Sequence, residues 1–451
     1  MESTWADLEK RVRQMAEHIW ERPAAPERIG GVNIDCVLKV AEDLWVLIEV
    51  TEERNVNKVR EDVTKLVTAK NTLFQSQGIF ARCFCVVASE SVTPSMLEAG
   101  SAHKIKVMSA HRFERIFFDF DAYRHARSKR HFGSAVNPIT GERDNSTYVP
   151  VKYVRSGPDE EVDVEAIAEW LIRGKRVVML GEYGSGKSRC VRELFEALSN
   201  RADESARYPI AIDLRENWGL RRAPELVRRH FEDLGIEKAG GSALKAMDSD
   251  ALVFLLDGFD EIGSQAWSDD SDKLRAIRAQ SLEGVKDLAR SSRGGILVCG
   301  REHYFNNNEE MFSALGLDAR ETIILRSKDE FTDDEMQEYF EQIGDSFTLP
   351  SWLPRRPLIC QTIASLSDDE MARMFSEEGG DVEFWGVFIR ILCERDARIH
   401  PSFDAETLHG VLTYLSRLTR TKSANVGPLT MGEIQRASKR LLVSYRSNTQ
   451  Q

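Results

Sequence analysis

An apolar run that breaks into a glycine loop and resumes as a helix constrains this chain more than any other stretch. Val177, Val178, Met179 and Leu180 read as a buried strand, and Cys190 to Leu198 reads as a helix with Val191, Leu194, Phe195 and Leu198 on one face. Between them, residues 181–188 spell Gly-Glu-Tyr-Gly-Ser-Gly-Lys-Ser and fit G-x-x-x-x-G-K-[ST]. Strand, glycine turn and helix together aim backbone N–H groups at a phosphate chain. Gly184 and Gly186 keep side chains out of the phosphates' path, and Gly181, Glu182, Tyr183 and Ser185 complete the loop. Lys187 is placed to reach β- and γ-phosphates, and Ser188 to set its hydroxyl on Mg²⁺.

A second stretch supplies the acids that such a loop needs. Ala251 to Ile262 reads Ala-Leu-Val-Phe-Leu-Leu-Asp-Gly-Phe-Asp-Glu-Ile. Its apolar half predicts a central parallel strand buried on both faces. Asp257 falls at the C-terminal end of that strand, where open α/β sheets bind ligands, and there it would hold Mg²⁺ through water. Asp260 and Glu261 follow on the loop and are the candidates for polarising an attacking water.

Asp257-Gly-Phe-Asp-Glu261, a small residue and then two acids after the magnesium aspartate, resembles the NACHT branch of the STAND signalling ATPases. Gly295-Ile-Leu-Val-Cys-Gly-Arg301 is similar to that family's next strand, ending in a sensor arginine at Arg301. Leu353-Pro-Arg-Arg-Pro-Leu358 is similar to its proline motif near the adenine, with Pro357 as the matching residue. Ile210-Ala-Ile-Asp-Leu-Arg215 fits an intervening core strand. The resemblance spans roughly residues 148–420. It implies an α/β P-loop NTPase core over 160–345, followed over 346–451 by a helical region that could run into a winged helix. It also implies ATP or ADP with Mg²⁺, hydrolysis, assembly as a homo-oligomer, and a role in bacterial defence against phage with a phage-derived trigger. A histidine contact to the β-phosphate, seen in some relatives, would fall to His400 or His409; a surface or core histidine is the simpler reading of each.

The first 122 residues read as a separate small α/β unit. Trp5, Leu8, Val12, Met15 and Ile19 recur at steps of three and four, which predicts an opening helix with Pro23 beyond it. Strand-like runs follow at Cys36–Val40 and Leu44–Val50. A helix is predicted from Asn55 to Gly78, then a strand over 80–88, a helix opened by Thr93-Pro94, and a strand at Ile105–Met108. Asp35 and Glu49, fourteen residues apart on adjoining strands, could bring two carboxylates to one metal ion, the arrangement that activates water against a phosphodiester. The order αββαβαβ with Gly-x-x-Ile-Asp and Ile-Glu-Val-Thr resembles the Mrr-like restriction endonuclease fold and its (D/E)…(D/E)xK site. The family's lysine position is Thr51 here, so Lys58 on the following helix is the candidate to reach back, with Lys65 two turns further on. Two readings stand side by side: a metal-dependent nuclease that cuts DNA, or a catalytically dead domain kept for binding or oligomerisation.

The span 123–159 reads as a linker. Arg124-His-Ala-Arg-Ser-Lys-Arg-His131 is basic and makes nucleic acid a candidate partner, against the commoner reading of a solvated helix face. A net charge of −12 excludes a surface that is basic overall. Seven cysteines without a CxxC pair predict no zinc site and fit a reduced, cytosolic chain. No apolar run approaches the ~20 residues that span a bilayer. No repeat of solenoid type follows the helical region, so either the chain is naturally short or it is a piece of a longer one.

Overall fold

The computed structural model describes residues 5–51, 55–88, 92–137, 151–205, 207–217, 219–247, 250–262, 270–328, 330–343, 352–366, 371, 380–399, 404–422, 429–430 and 432–436. Two sheets organise the chain. The first holds β1 (Ala24–Ile29), β2 (Val32–Ala41), β3 (Leu44–Thr51), β4 (Phe80–Val87) and β5 (Lys106–Ser109), in spatial order β1-β2-β3-β4-β5. β1, β2 and β3 are antiparallel neighbours, whereas β3, β4 and β5 run parallel. The helix Val56–Gln77 carries the crossover from β3 to β4. It starts at Asn55, whose side chain accepts the Asn57 N–H, and stops at Gly78, which turns left-handed at φ 72°.

Alternation along the strands divides the core of this sheet. Trp45 and Leu47 face Val59, Val63 and Leu66 of the crossover helix, while Val46, Ile48 and Val50 face Val12, Met15 and Ala16 of the opening helix Trp5–Trp20. β1 is absent from the sequence reading. Ala-Ala-Pro-Glu-Arg-Ile carries a proline and little apolar content, so it reads as a turn; as an edge strand it tolerates both.

The second sheet adds β6 (Tyr153–Arg155), β7 (Glu160–Val162), β8 (Arg176–Leu180), β9 (Tyr208–Asp213), β10 (Leu252–Asp257), β11 (Ile296–Gly300) and β12 (Thr322–Ser327). Its order is β7-β6-β12-β8-β11-β10-β9. The five strands from β12 to β9 are parallel, and β6 and β7 extend the edge antiparallel. β11 lies between β8 and β10. In register, Leu180 pairs with Gly300, Cys299 with Asp257, and Asp257 with Asp213. The C-terminal ends of four strands are thereby brought level, which sets the 181–188 loop and Asp257 at one edge of the sheet.

The span read as a linker is structured at both ends. The helix Phe120–Ser128 packs on the second core through buried Tyr123 and Arg127. Tyr123 Oη accepts the Ala211 N–H and bonds His230 Nε2, and Arg127 Nε donates to Ala211 O at 2.8 Å. β6 lies in the same span. Part of the basic run makes intramolecular contacts: Arg124 meets Glu196 and Asn200, and Arg130 donates to Asp233 O, while His125, Lys129, Arg130 and His131 are exposed. Residues 138–150, in the middle of this span, lie outside the described residues.

Among the described residues, the helices Pro357–Ala364, Gly380–Ile399 and Ala405–Arg420 lie in the C-terminal region. Phe384 and Phe388 are buried on one face of the second. His409 is exposed; His400 lies outside the described residues. Among the described residues no helix is long and apolar enough to cross a membrane. All seven cysteines are buried free thiols.

Candidate functional site

The loop after β8 turns on two left-handed glycines, Gly184 at φ 78° and Gly186 at φ 85°, conformations that cost a side-chain-bearing residue about a kilocalorie or more. Gly186 is the N-cap of the helix Lys187–Asn200, so the helix N-terminus opens into the loop. The Lys187 ammonium donates to the Gly181 and Glu182 carbonyls at 2.7 and 2.8 Å, which holds it under the loop. Burial lowers its pKa, with the nearby Asp260 and Asp257 charges opposing that shift.

Asp257 is buried at the end of β10. Burial, then the charge of Asp213, raises its carboxyl to about 7, against a hydrogen bond from Ser188. Its Oδ2 is buried with no hydrogen-bond partner among the described residues, as is Ser185 Oγ inside the loop. An orphaned carboxylate oxygen beside a hydroxyl, at the mouth of a helix N-terminus, fits a divalent cation; it is a costly arrangement otherwise. Asp257 and Ser188 are therefore the residues that would hold Mg²⁺.

Both acids that follow are held by arginines. Arg301 approaches Asp260 Oδ2 with Nε at 2.9 Å, and its backbone N–H donates to Asp260 Oδ1. The same guanidinium lies over the Tyr183 ring at 5.4 Å and so ties the loop to Asp260. Burial raises the Asp260 pKa, with Arg301 acting against it. Glu261 is paired with Arg215, a residue that sequence reading places only as the end of a strand. β9 ends at Asp213 and the short turn after it carries Arg215 across to the acid.

Pro357 opens the helix Pro357–Ala364 and stands beside the loop. The Leu358 N–H donates to Gly184 O at 3.2 Å and Arg356 donates to Tyr183 O. The resulting cavity, about 120 Å³, is lined by the loop, Asp257, Asp260, Glu261, Arg301, Pro357 and, beyond the expected set, Ser134, Phe331 and Tyr339.

The N-terminal candidates assemble differently from expectation. Asp35 Oδ2 accepts the Val50 N–H, and Glu49 Oε1 accepts the Asp35 N–H. Lys65, not Lys58, reaches the pair: its Nζ lies 2.8 Å from Glu49 Oε2 and 2.8 Å from Asp62 Oδ1. Lys58 stays with Glu61 and Asp62 at 3.4 and 3.5 Å. The helix leaves β3 and folds back across the sheet, so a residue well inside it, rather than one in its first turn, faces Glu49. Thr51, at the family's lysine position, donates instead to Asp62 Oδ2. Burial, then Asp35, pushes Glu49 up to about 8. Each Glu49 oxygen thus has a protein partner, and its side chain is 0% exposed. No group of three metal-ligating side chains occurs among the described residues.

No family model and no curated protein matches the chain. Among solved structures, the Aeropyrum pernix ORC1 protein in complex with DNA superposes with a TM-score of 0.34 and 13% identity, over 61% of this chain and 75% of that one. C. elegans PCH-2 does so with a TM-score of 0.24 and 11% identity, over 63% and 66%.

Proposed function

We propose that this chain is a switch operated by ATP and Mg²⁺, with residues 160–345 as its nucleotide-binding core. The observation that carries the reading is the buried, unpartnered Asp257 Oδ2 set beside Ser188 at the mouth of the glycine loop. In this reading the loop amides and Lys187 take the phosphates, Ser188 and Asp257 hold the cation, and Asp260 and Glu261 orient water once their arginines release them. The bound Mg²⁺ would neutralise charge developing on the phosphates. Pro357 and Arg301 report on the nucleotide to the helical region. Lys187→Ala should abolish nucleotide binding in calorimetry; unchanged ATP affinity would overturn the reading.

For residues 1–122 the saturated Glu49 favours the non-catalytic reading: a nuclease-like fold used for binding or self-association. Plasmid cleavage with Mg²⁺ or Mn²⁺ that disappears in Glu49→Ala would overturn it and restore the nuclease. Assembly on ATP and a role in antiphage defence rest on the resemblance to NACHT proteins.

A further inference from the structure

The segment that joins the two sheets runs through the cation side of the nucleotide cavity. The Ser134 backbone N–H donates to Ser188 Oγ at 3.4 Å. A Cβ built on Gly133 would stand 2.3 Å from Asp257 Oδ2 and 2.6 Å from Ser188 Oγ, so only a glycine can lie there. Gly133 is also left-handed, at φ 48°. These two residues, far in sequence from both Ser188 and Asp257, touch both side chains assigned to the cation.

The segment is anchored on either side of that contact. Upstream, Arg127 is buried and donates to the carbonyls of Ala211 on β9 and of Arg130 and His131. Its guanidinium lies 3.6 Å from the Phe132 ring centroid, and Phe132 packs on Phe195 of the loop's own helix at 5.4 Å. Downstream, Gln361 of the helix Pro357–Ala364 donates to Val136 O, and Asn137 donates to Ser365 Oγ. A short piece of chain is thus clamped between β9, the loop helix and the helix that opens at Pro357.

We infer that Gly133 and Ser134 form the cation-side wall of the nucleotide site, and that their seating competes with Mg²⁺ at Ser188 and Asp257. The inference rests on the nucleotide reading above. Loading of nucleotide with Mg²⁺ unseats the segment; nucleotide without the metal leaves it in place. The helix Phe120–Ser128 comes directly before this segment, so the change is delivered toward the N-terminal sheet. By reciprocity, anything that unseats the segment tightens Mg²⁺-dependent nucleotide binding.

Amide hydrogen exchange at Gly133 and Ser134 tests this in the full chain, with ADP plus Mg²⁺ and with ADP plus chelator. Faster exchange with Mg²⁺ alone among the two is the expected result, and it should vanish in Lys187→Ala. Gly133→Ala, whose Cβ penalises the seated form, should raise the Mg²⁺-dependent gain in ADP affinity by about tenfold, within the usual span of allosteric couplings. ADP binding with unchanged or slower exchange under Mg²⁺, or an unaltered Mg²⁺ gain in Gly133→Ala, would overturn this inference alone. Absence of ADP binding to the wild-type chain would overturn the nucleotide reading and this inference with it.

Discussion

Asp260 and Glu261 are adjacent, yet each is held by a different arginine, Arg301 and Arg215. Neither contact requires the loop to change shape, so removing one acid should leave phosphate binding intact. Asp260→Ala or Glu261→Ala should keep ATP affinity and slow hydrolysis, read as phosphate release. Unchanged turnover in the double variant would show that water is activated elsewhere. At the N-terminal cluster, Lys65→Met strands Glu49 and Asp62, both essentially inaccessible. It should cost about 2 kcal/mol in urea unfolding, less than a fully buried pair because Lys65 is partly exposed, while Lys58→Met should cost about 0.5 kcal/mol or less. Equal costs would contradict the geometry. Residues 181–188 could be read from sequence because their chemistry is contiguous: eight neighbours, one loop. Arg215 and Gly133 could not, and Lys65 stands only behind Lys58, since each meets its partner through a crossover or a sheet edge that no local spacing records.

The elements that were legible are those with a strong period. β8 and β10 are unbroken apolar runs because parallel strands are covered on both faces, and the crossover helix carries its own cap and stop. β1 and β6 are short edge strands with mixed polarity, and nothing in six or three residues distinguishes them from loop. The helix Phe120–Ser128 looks like a basic surface stretch because its buried face, Phe120, Tyr123 and Arg127, includes a buried arginine and is short of aliphatic residues. Its docking carries a pH prediction. Burial, with the Arg127 charge adding to it, lowers His230 to about 3. An unfolded histidine binds a proton near pH 6.5, whereas the folded one stays neutral, so stability is retained above that pH and lost progressively as pH falls from there toward 3. His230→Gln should flatten that fall in thermal unfolding scans between pH 7 and 4. A slope identical to wild type would place the acid sensitivity elsewhere.

Across the whole molecule, one apolar core runs from the opening helix and one face of the first sheet into the second sheet and on to the helix Gly380–Ile399. The cavity at the glycine loop lies where the strand ends, the connecting segment and the helix opened by Pro357 meet, so its walls come from three parts of the chain. A ligand that pulls these walls together or apart changes how the parts are held, which is the physical content of a switch. If nucleotide drives assembly, light scattering should show a larger particle with ATP and Mg²⁺ than with ADP, and no such shift in Lys187→Ala; equal sizes in all states would contradict assembly. The cation pair, Ser188 and Asp257, is the centre of the proposed switch. ATP affinity should be measured by calorimetry with and without Mg²⁺, in wild type and in Asp257→Asn. Mg²⁺ should tighten binding to the wild type, and Asp257→Asn should lose this gain while keeping metal-free affinity. A full Mg²⁺ gain in Asp257→Asn would contradict it.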